Sequence, residues 1–128
     1  MKKLNPYLMF SGNCKEALMF YKTCLDGEIL SMKTFAESPL DVPREHKNRI
    51  FNSEFRAEDF MFMASDDLPN NEVNLGSNFA LFLSFTKKEE QEEAFTKLSE
   101  GGKVLFPLEN GFGMLVDQFG IQWMLAGR

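Results

Sequence analysis

The stretch Tyr7-Leu8-Met9-Phe10, followed by a helix start at Asn13-Cys14-Lys15-Glu16, decides the fold because it returns later in the chain. At a constant offset of 75 (Phe10 to Phe85), Leu8 meets Leu83, Phe20 meets Phe95, Gly27 meets Gly102 and Leu30 meets Leu105. Tyr7/Phe82 and Ile29/Val104 are conservative pairs at the same spacing. Asn13-Cys14-Lys15-Glu16 and Thr86-Lys87-Lys88-Glu89 each place a side-chain acceptor before a helix and a Glu three residues on, which predicts two capping boxes. The first helix then runs through Ala17, Phe20, Tyr21 and Leu25 to a stop at Gly27, and the second through Ala94, Phe95 and Leu98 to a stop at Gly101-Gly102. The run Glu89-Glu90-Gln91-Glu92-Glu93 reads as the solvated outer face of the second helix.

Short apolar strands are predicted before each helix (Tyr7 to Phe10, Phe79 to Phe85) and after it (Glu28 to Phe35, Lys103 to Pro107). Each half closes with a hairpin: Arg49 to Arg56 into Phe60 to Ser65, and Gly113 to Asp117 into Ile121 to Leu125. The result is a β-α-β-β-β unit present twice, with modules over about residues 1–66 and 78–128 and a polar, turn-rich linker over 67–77. A unit of this kind needs its second copy to close a core. Within the first half, Ala36 to Asn48 reads as a loop or lid, with Pro39 and Pro43 working against a regular element.

The chain has 128 residues and a net charge of −5, with 44% hydrophobic residues, which is the profile of one compact domain. Phe supplies 14 of the aromatics and there are 8 Met, so an interior rich in large adaptable side chains is expected. The scattered cations among more numerous carboxylates argue against a nucleic-acid partner. No apolar run approaches the roughly 18 residues of a bilayer helix, and the N-terminal residues lack the long apolar core of a secretory signal, so no membrane partner is expected and the default location is the cytoplasm.

The two cysteines, Cys14 and Cys24, fall ten residues apart on one predicted helix. At about 1.5 Å rise per residue their backbones lie about 15 Å apart, too far to bridge. Both read as structural thiols; the sharper alternative is a Cys14 thiolate favoured by a helix N-terminus.

The duplicated βαβββ unit opens with Pro6-Tyr7-Leu8-Met9-Phe10 and Gly12-Asn13-Cys14-Lys15-Glu16-Ala17. With Met63-Ala64-Ser65-Asp66, Gly101-Gly102-Lys103-Val104 and Asp117-Gln118-Phe119-Gly120-Ile121-Gln122-Trp123, it resembles the PhnB-like branch of the vicinal oxygen chelate (glyoxalase/bleomycin resistance/dioxygenase) superfamily. The resemblance spans nearly the whole chain. It implies an α+β fold of two βαβββ modules in tandem, with curved mixed sheets, helices on the convex side, and a cavity on the concave side where enzymes of the superfamily hold a divalent metal. A homodimer is implied as well. Members of this branch often carry the name 3-demethylubiquinone methyltransferase, yet no Gly-rich loop follows a strand in a Rossmann-like unit that could hold an S-adenosyl donor.

By this resemblance the metal-ligand positions fall at or within a residue or so of Pro6, Met63, Leu81 and Met124, none of them a ligand for zinc, iron or manganese. The His often seen in the third strand of the branch is Asn52 here, and the one imidazole, His46, stands in the 36–48 loop, either exposed or as part of a lid. No metal and no cofactor are therefore expected. The expected function is binding of a small, largely apolar molecule in a cavity lined by Leu8, Met61, Met63, Leu83 and Met124 and rimmed by Asn52, Glu54 and Gln122. Strand alternation in Ile50 to Arg56 places Asn52, Glu54 and Arg56 on one face and Phe51, Ser53 and Phe55 on the other. Two readings of the polar face stand: a solvated surface with a cross-strand ion pair, or a site in which Glu54 is a base or hydrogen-bond acceptor and Arg56 an anion anchor. The alternative function is an enzyme, a lyase, isomerase or dioxygenase, that uses Glu54 or an unconventional metal site. Trp123 reads as core, and Glu109 to Gly113 as a flexible gate.

Overall fold

A computed structural model describes residues 1–68 and 71–127; Pro69 and Asn70, which the sequence places in the linker, and Arg128 lie outside the described residues. The chain divides into two compact units, Met1–Val73 and Asn74–Arg128. In the first, the order is β1 (Tyr7–Phe10), α1 (Cys14–Leu25), β2 (Glu28–Thr34), β3 (Ile50–Ala57) and β4 (Phe60–Asp66). The second repeats it as β5 (Leu81–Phe85), α2 (Lys88–Ser99), β6 (Lys103–Glu109), β7 (Phe112–Val116) and β8 (Gln122–Gly127). Each unit forms one mixed four-stranded sheet, ordered β1-β4-β3-β2 and β5-β8-β7-β6. In each, the first strand runs parallel to the last and the other pairs are antiparallel. The duplicated βαβββ fold read from the sequence is the fold of the molecule.

One face of each sheet packs under its helix. Helix α1 buries Cys14, Ala17, Leu18, Tyr21 and Cys24, the three-and-four spacing of a single stripe. The Tyr21 ring meets Phe62 edge-on at 5.8 Å, and Phe62 stacks on Phe55 at 4.8 Å, so β3 and β4 turn these residues toward the helix. In the second unit the Phe95 ring lies directly over Gly113. Helix α2 also turns Gln91 inward from its acidic run: the amide nitrogen donates to the carbonyls of Gly111 at 3.0 Å and Leu125 at 3.3 Å. The carboxylates around it stay outside, where Lys97 donates to Glu93 at 2.8 Å.

The helix starts differ from expectation. Asn13 makes no capping bond with its side chain, and α2 starts one residue later than expected, so that Lys87 rather than Thr86 precedes it, and Lys87 does not cap either. At α1 the acceptor comes from 52 to 54 residues away: Asp66, at the end of β4, accepts from the backbone N–H of Gly12 at 2.8 Å and of Cys14 at 2.9 Å. A carboxylate placed there opposes the helix dipole more effectively than a neutral Asn would. A capping arrangement forms instead at Thr34, whose N–H and hydroxyl both donate to Glu37 Oε1 at 3.0 Å.

Three further expectations are corrected. Asn110 and Gly111, at φ 52° and 80°, make a two-residue left-handed turn closing Glu109 onto Phe112. The Glu109 to Gly113 segment is thus a tight β6–β7 hairpin rather than a gate. Strand β6 runs on through Pro107, because it lies at the sheet edge, where a missing N–H is tolerated. The 36–48 insert carries two single-turn 3-10 helices, Phe35–Glu37 and Arg44–His46, and is pinned by the buried side chains of Phe35 and Val42. At its end a register shift between β2 and β3 buries Ile50 and leaves Phe51 against the Phe35 ring at 5.5 Å rather than under the helix.

The interior is rich in Phe (Phe10, Phe35, Phe55, Phe62 and Phe95), but none of the eight methionines is buried in it. That departs from the expected Met-rich core and bears directly on the site.

Candidate functional site

The sheet faces opposite the helices hold most of the chemistry singled out in the sequence. Side chains alternate along a strand, so the partners of Phe62 and Gly113 fix which residues look away from α1 and α2. On β4 these are Met61 and Met63; on β3, Asn52, Glu54 and Arg56; on β1, Tyr7 and Met9. In the second unit they are Phe82 on β5, Gln122 and Met124 on β8, Phe112, Met114 and Val116 on β7, and Phe106 on β6. Leu8 and Leu83 are corrected: Leu8 pairs with Ala64 and is 3% exposed, and Leu83 pairs with Leu125, so both belong to the helix-facing cores. Tyr7, Met9 and Phe82 take the open-face places assigned to them.

The two faces repeat the same register with different chemistry. Across the first sheet Tyr7, Met63, Glu54 and Ser31 stand in one row; across the second, Phe82, Met124, Met114 and Phe106 stand in the matching row. Tyr7 and Phe82 keep the 75-residue offset, as do Ser31 and Phe106. The second row is wholly apolar, with Phe82 and Phe106 each 58% exposed. The first is apolar at Met63 and polar beyond it.

The polar residues divide by what already engages them. Gln122 donates to the Phe79 carbonyl at 2.6 Å, tying the segment before β5 to β8. Asp117, buried, accepts from the N–H groups of Phe119 and Ile121 and from the Trp123 indole at 2.8 Å, which fixes the final turn and makes Trp123 core. Asp66 adds the Ile50 N–H at 2.8 Å to its two bonds at α1. By contrast, among the described residues nothing pairs with the side chains of Asn52, Glu54 or Arg56; the ion pairs found join Lys87, Lys88 and Lys97 to glutamates of α2. The cross-strand ion pair that was one reading of this face does not form. Asn52 and Glu54 are half-buried, so their hydrogen-bonding capacity faces a partly dried surface.

Cys14 is set against nucleophilic chemistry. Burial pushes its thiol up to about 12, the charge of neighbouring Asp66 adds to the rise, and a hydrogen bond with Ser53 works against it. The helix-start amides expected to favour a thiolate are held by Asp66 instead.

A divalent metal, implied by the superfamily, does not fit these residues. At the pseudo-equivalent strand positions the open-face residues are Tyr7 and Met63 in one unit and Phe82 and Met124 in the other, with Pro6 and Leu81 one residue short of that face. A phenol, a phenyl ring and two thioethers offer no imidazole or carboxylate to a hard ion. Among the described residues no group of three His, Cys, Asp or Glu side chains is placed to hold a metal.

Comparison with known proteins agrees with this architecture. The chain is 30% identical to Protein YjdN of Escherichia coli (strain K12), over 95% of this chain and 92% of that one. The solved structure of protein PA1353 from Pseudomonas aeruginosa superposes with a TM-score of 0.89 at 33% identity, covering 100% of this chain and 98% of the other. A putative 3-demethylubiquinone-9 3-methyltransferase, PhnB protein, from Bacillus cereus gives 0.83 at 26% identity, with 99% and 100% covered. The fosfomycin resistance protein FosX from Listeria monocytogenes, solved with Mn(II) and sulfate, shares the fold alone, at a TM-score of 0.67 and 8% identity over 100% and 93% of the two chains. The family model described as 3-demethylubiquinone-9 3-methyltransferase matches residues 2–126. With its tandem βαβββ units in the glyoxalase-like arrangement, this chain belongs to that 3-demethylubiquinone-9 3-methyltransferase-like (PhnB) family.

Proposed function

We propose that the chain binds a small, largely apolar molecule on the helix-free faces of its sheets, without a hard divalent metal. The observation that carries the reading is the distribution of methionine. Met9, Met61, Met63, Met114 and Met124 all look away from the helices, and the buried cores hold none. A core accepts methionine readily, so its concentration on open faces favours an adaptable surface that moulds to a ligand. An apolar wall with a few uncommitted polar groups, here Asn52, Glu54 and Arg56, is the usual construction of a small-molecule site.

The family's name implies an S-adenosyl donor, and the residues do not suit one. The single strand-to-helix turn of the first unit has its Gly12 and Cys14 amides already bonded to Asp66. A second reading, an enzyme that uses Glu54 as its base, draws on that carboxylate having no partner among the described residues.

The neutral fluorescent probe N-phenyl-1-naphthylamine, with metal analysis of dialysed protein, tests the proposal. We expect enhanced emission at micromolar probe, weakened about tenfold by Met63→Glu or Met124→Glu, a loss of about 1.4 kcal/mol, and unaffected by Met19→Gln on the outside of α1. Stoichiometric zinc, iron, manganese or nickel, or no enhancement, would overturn it.

A further inference from the structure

We infer that the Tyr7–Met63–Glu54 row of the first sheet takes an organic cation, a quaternary or alkylated ammonium group, as the polar end of the ligand. The inference rests on the reading above that the open faces hold a small molecule, and it names the chemistry of one end. Tyr7, Met63 and Glu54 are register partners on three adjacent strands, β1, β4 and β3. At about 4.8 Å between strands, the outer two are about 10 Å apart with the thioether between them. An aromatic ring on one side, a polarizable sulfur beneath and a carboxylate on the other side form a complete set of partners for a bulky, weakly hydrated cation. The carboxylate is half-buried and has no partner among the described residues.

The charges nearby permit this choice. Arg56, two residues along β3, stands in register with Glu28 on β2; the two do not pair, but their opposite charges at one register position offset each other at the row. Lys33 is exposed, in register with Asn52. The net charge of −5 favours cations at long range. An anionic group would meet Glu54 with no cation paired to it, and a hard metal would find one carboxylate and a thioether. The second sheet has no counterpart: Met114 occupies the position of Glu54 in its row, so the cation site is single and the matching row stays apolar.

Phenyltrimethylammonium and its neutral isostere tert-butylbenzene differ in charge and share shape, which makes them the appropriate probes, with benzenesulfonate as the anionic control. Protein labelled with 13C at the methionine methyl groups reports the position of each by NMR. We expect the cation to shift the Met63 methyl and to bind about tenfold more tightly than the isostere, with that preference lost in Glu54→Gln and reduced in Tyr7→Leu. Retained binding of tert-butylbenzene by the variants shows that they are folded; should Glu54→Gln fail to fold, Glu54→Asp is expected to keep a weakened preference. If the neutral isostere or benzenesulfonate binds as well as the cation, or the preference survives in Glu54→Gln, the inference fails while the binding function stands. If none of the three shifts any methionine methyl, both fail.

Discussion

Asp66 shows how one carboxylate can organise a unit. It is 3% exposed and accepts from the amides of Gly12, Cys14 and Ile50, so it ties the start of α1 and the start of β3 to the end of β4. Removing a buried charged acceptor leaves three donors unsatisfied, and Asp66→Ala should cost about 3 kcal/mol or more, read from urea unfolding. The same residue helps keep Cys14 protonated. The thiol is raised from 9.0 in the unfolded chain to about 12 in the folded one, so over that window the unfolded state binds fewer protons. Stability is therefore fully present below about pH 9 and lost as pH climbs toward 12, at up to about 1.4 kcal/mol per pH unit. Cys14→Ala should flatten this alkaline decline, and unfolding measured at pH 8 and pH 10.5 checks it. Neither role was legible in the sequence. Met63-Ala64-Ser65-Asp66 stands out as a motif, but nothing local shows that amides from positions 12, 14 and 50 converge on its last residue.

At the level of elements the sequence spoke more clearly, because strand and helix periodicities are local. Gly27 and Gly102, matched across the repeat, lie just beyond helices that end at Leu25 and Ser99; the left-handed backbone there belongs to Asp26 and Gly101, and the structure gives the matched pair a different reason for glycine. A Cβ at Gly27 would collide with the Phe55 ring and the Arg56 carbonyl, and one at Gly102 would sit on the Val116 carbonyl. Since backbone cannot yield as a flexible side chain does, Gly102→Ala should destabilise by about 2 kcal/mol or more. Gly76→Ala meets only ordinary contact at Asn78, 3.5 Å away, and should stay within about 0.5 kcal/mol. Thermal melts of the two variants make the comparison. The misreadings at this scale have specific causes. Asn110-Gly111 carries the sequence of a two-residue hairpin turn, and its glycine serves the left-handed φ of that turn rather than flexibility. Leu8 and Leu83 face the helices because each shares its face with a residue across a parallel pair, Ala64 and Leu125; side-chain parity is legible within a strand, while parity between strands depends on register, which spacing alone does not supply.

Across the whole molecule, the duplication made the repeat legible, since seven matched or conservative pairs at one offset leave little room for another topology. What composition could not reveal was where the methionines lie: they are as well suited to a core as to a binding surface, and only the paired register separates the two. Their location also determines how the protein would answer a chemical challenge. A thioether on an open face is reachable by peroxide, whereas among the described residues the fully buried cores under α1 and α2 hold sulfur only in the thiols of Cys14 and Cys24. Conversion of Met63, Met114 and Met124 to sulfoxides would turn the apolar rows polar while leaving the packing beneath the helices intact. Mild peroxide should therefore abolish probe binding with the near-ultraviolet dichroism of Trp123 unchanged, and methionine sulfoxide reductase should restore it. On the proposed reading, such a receptor would be blinded by oxidative stress and reopened by repair enzymes without the chain ever unfolding.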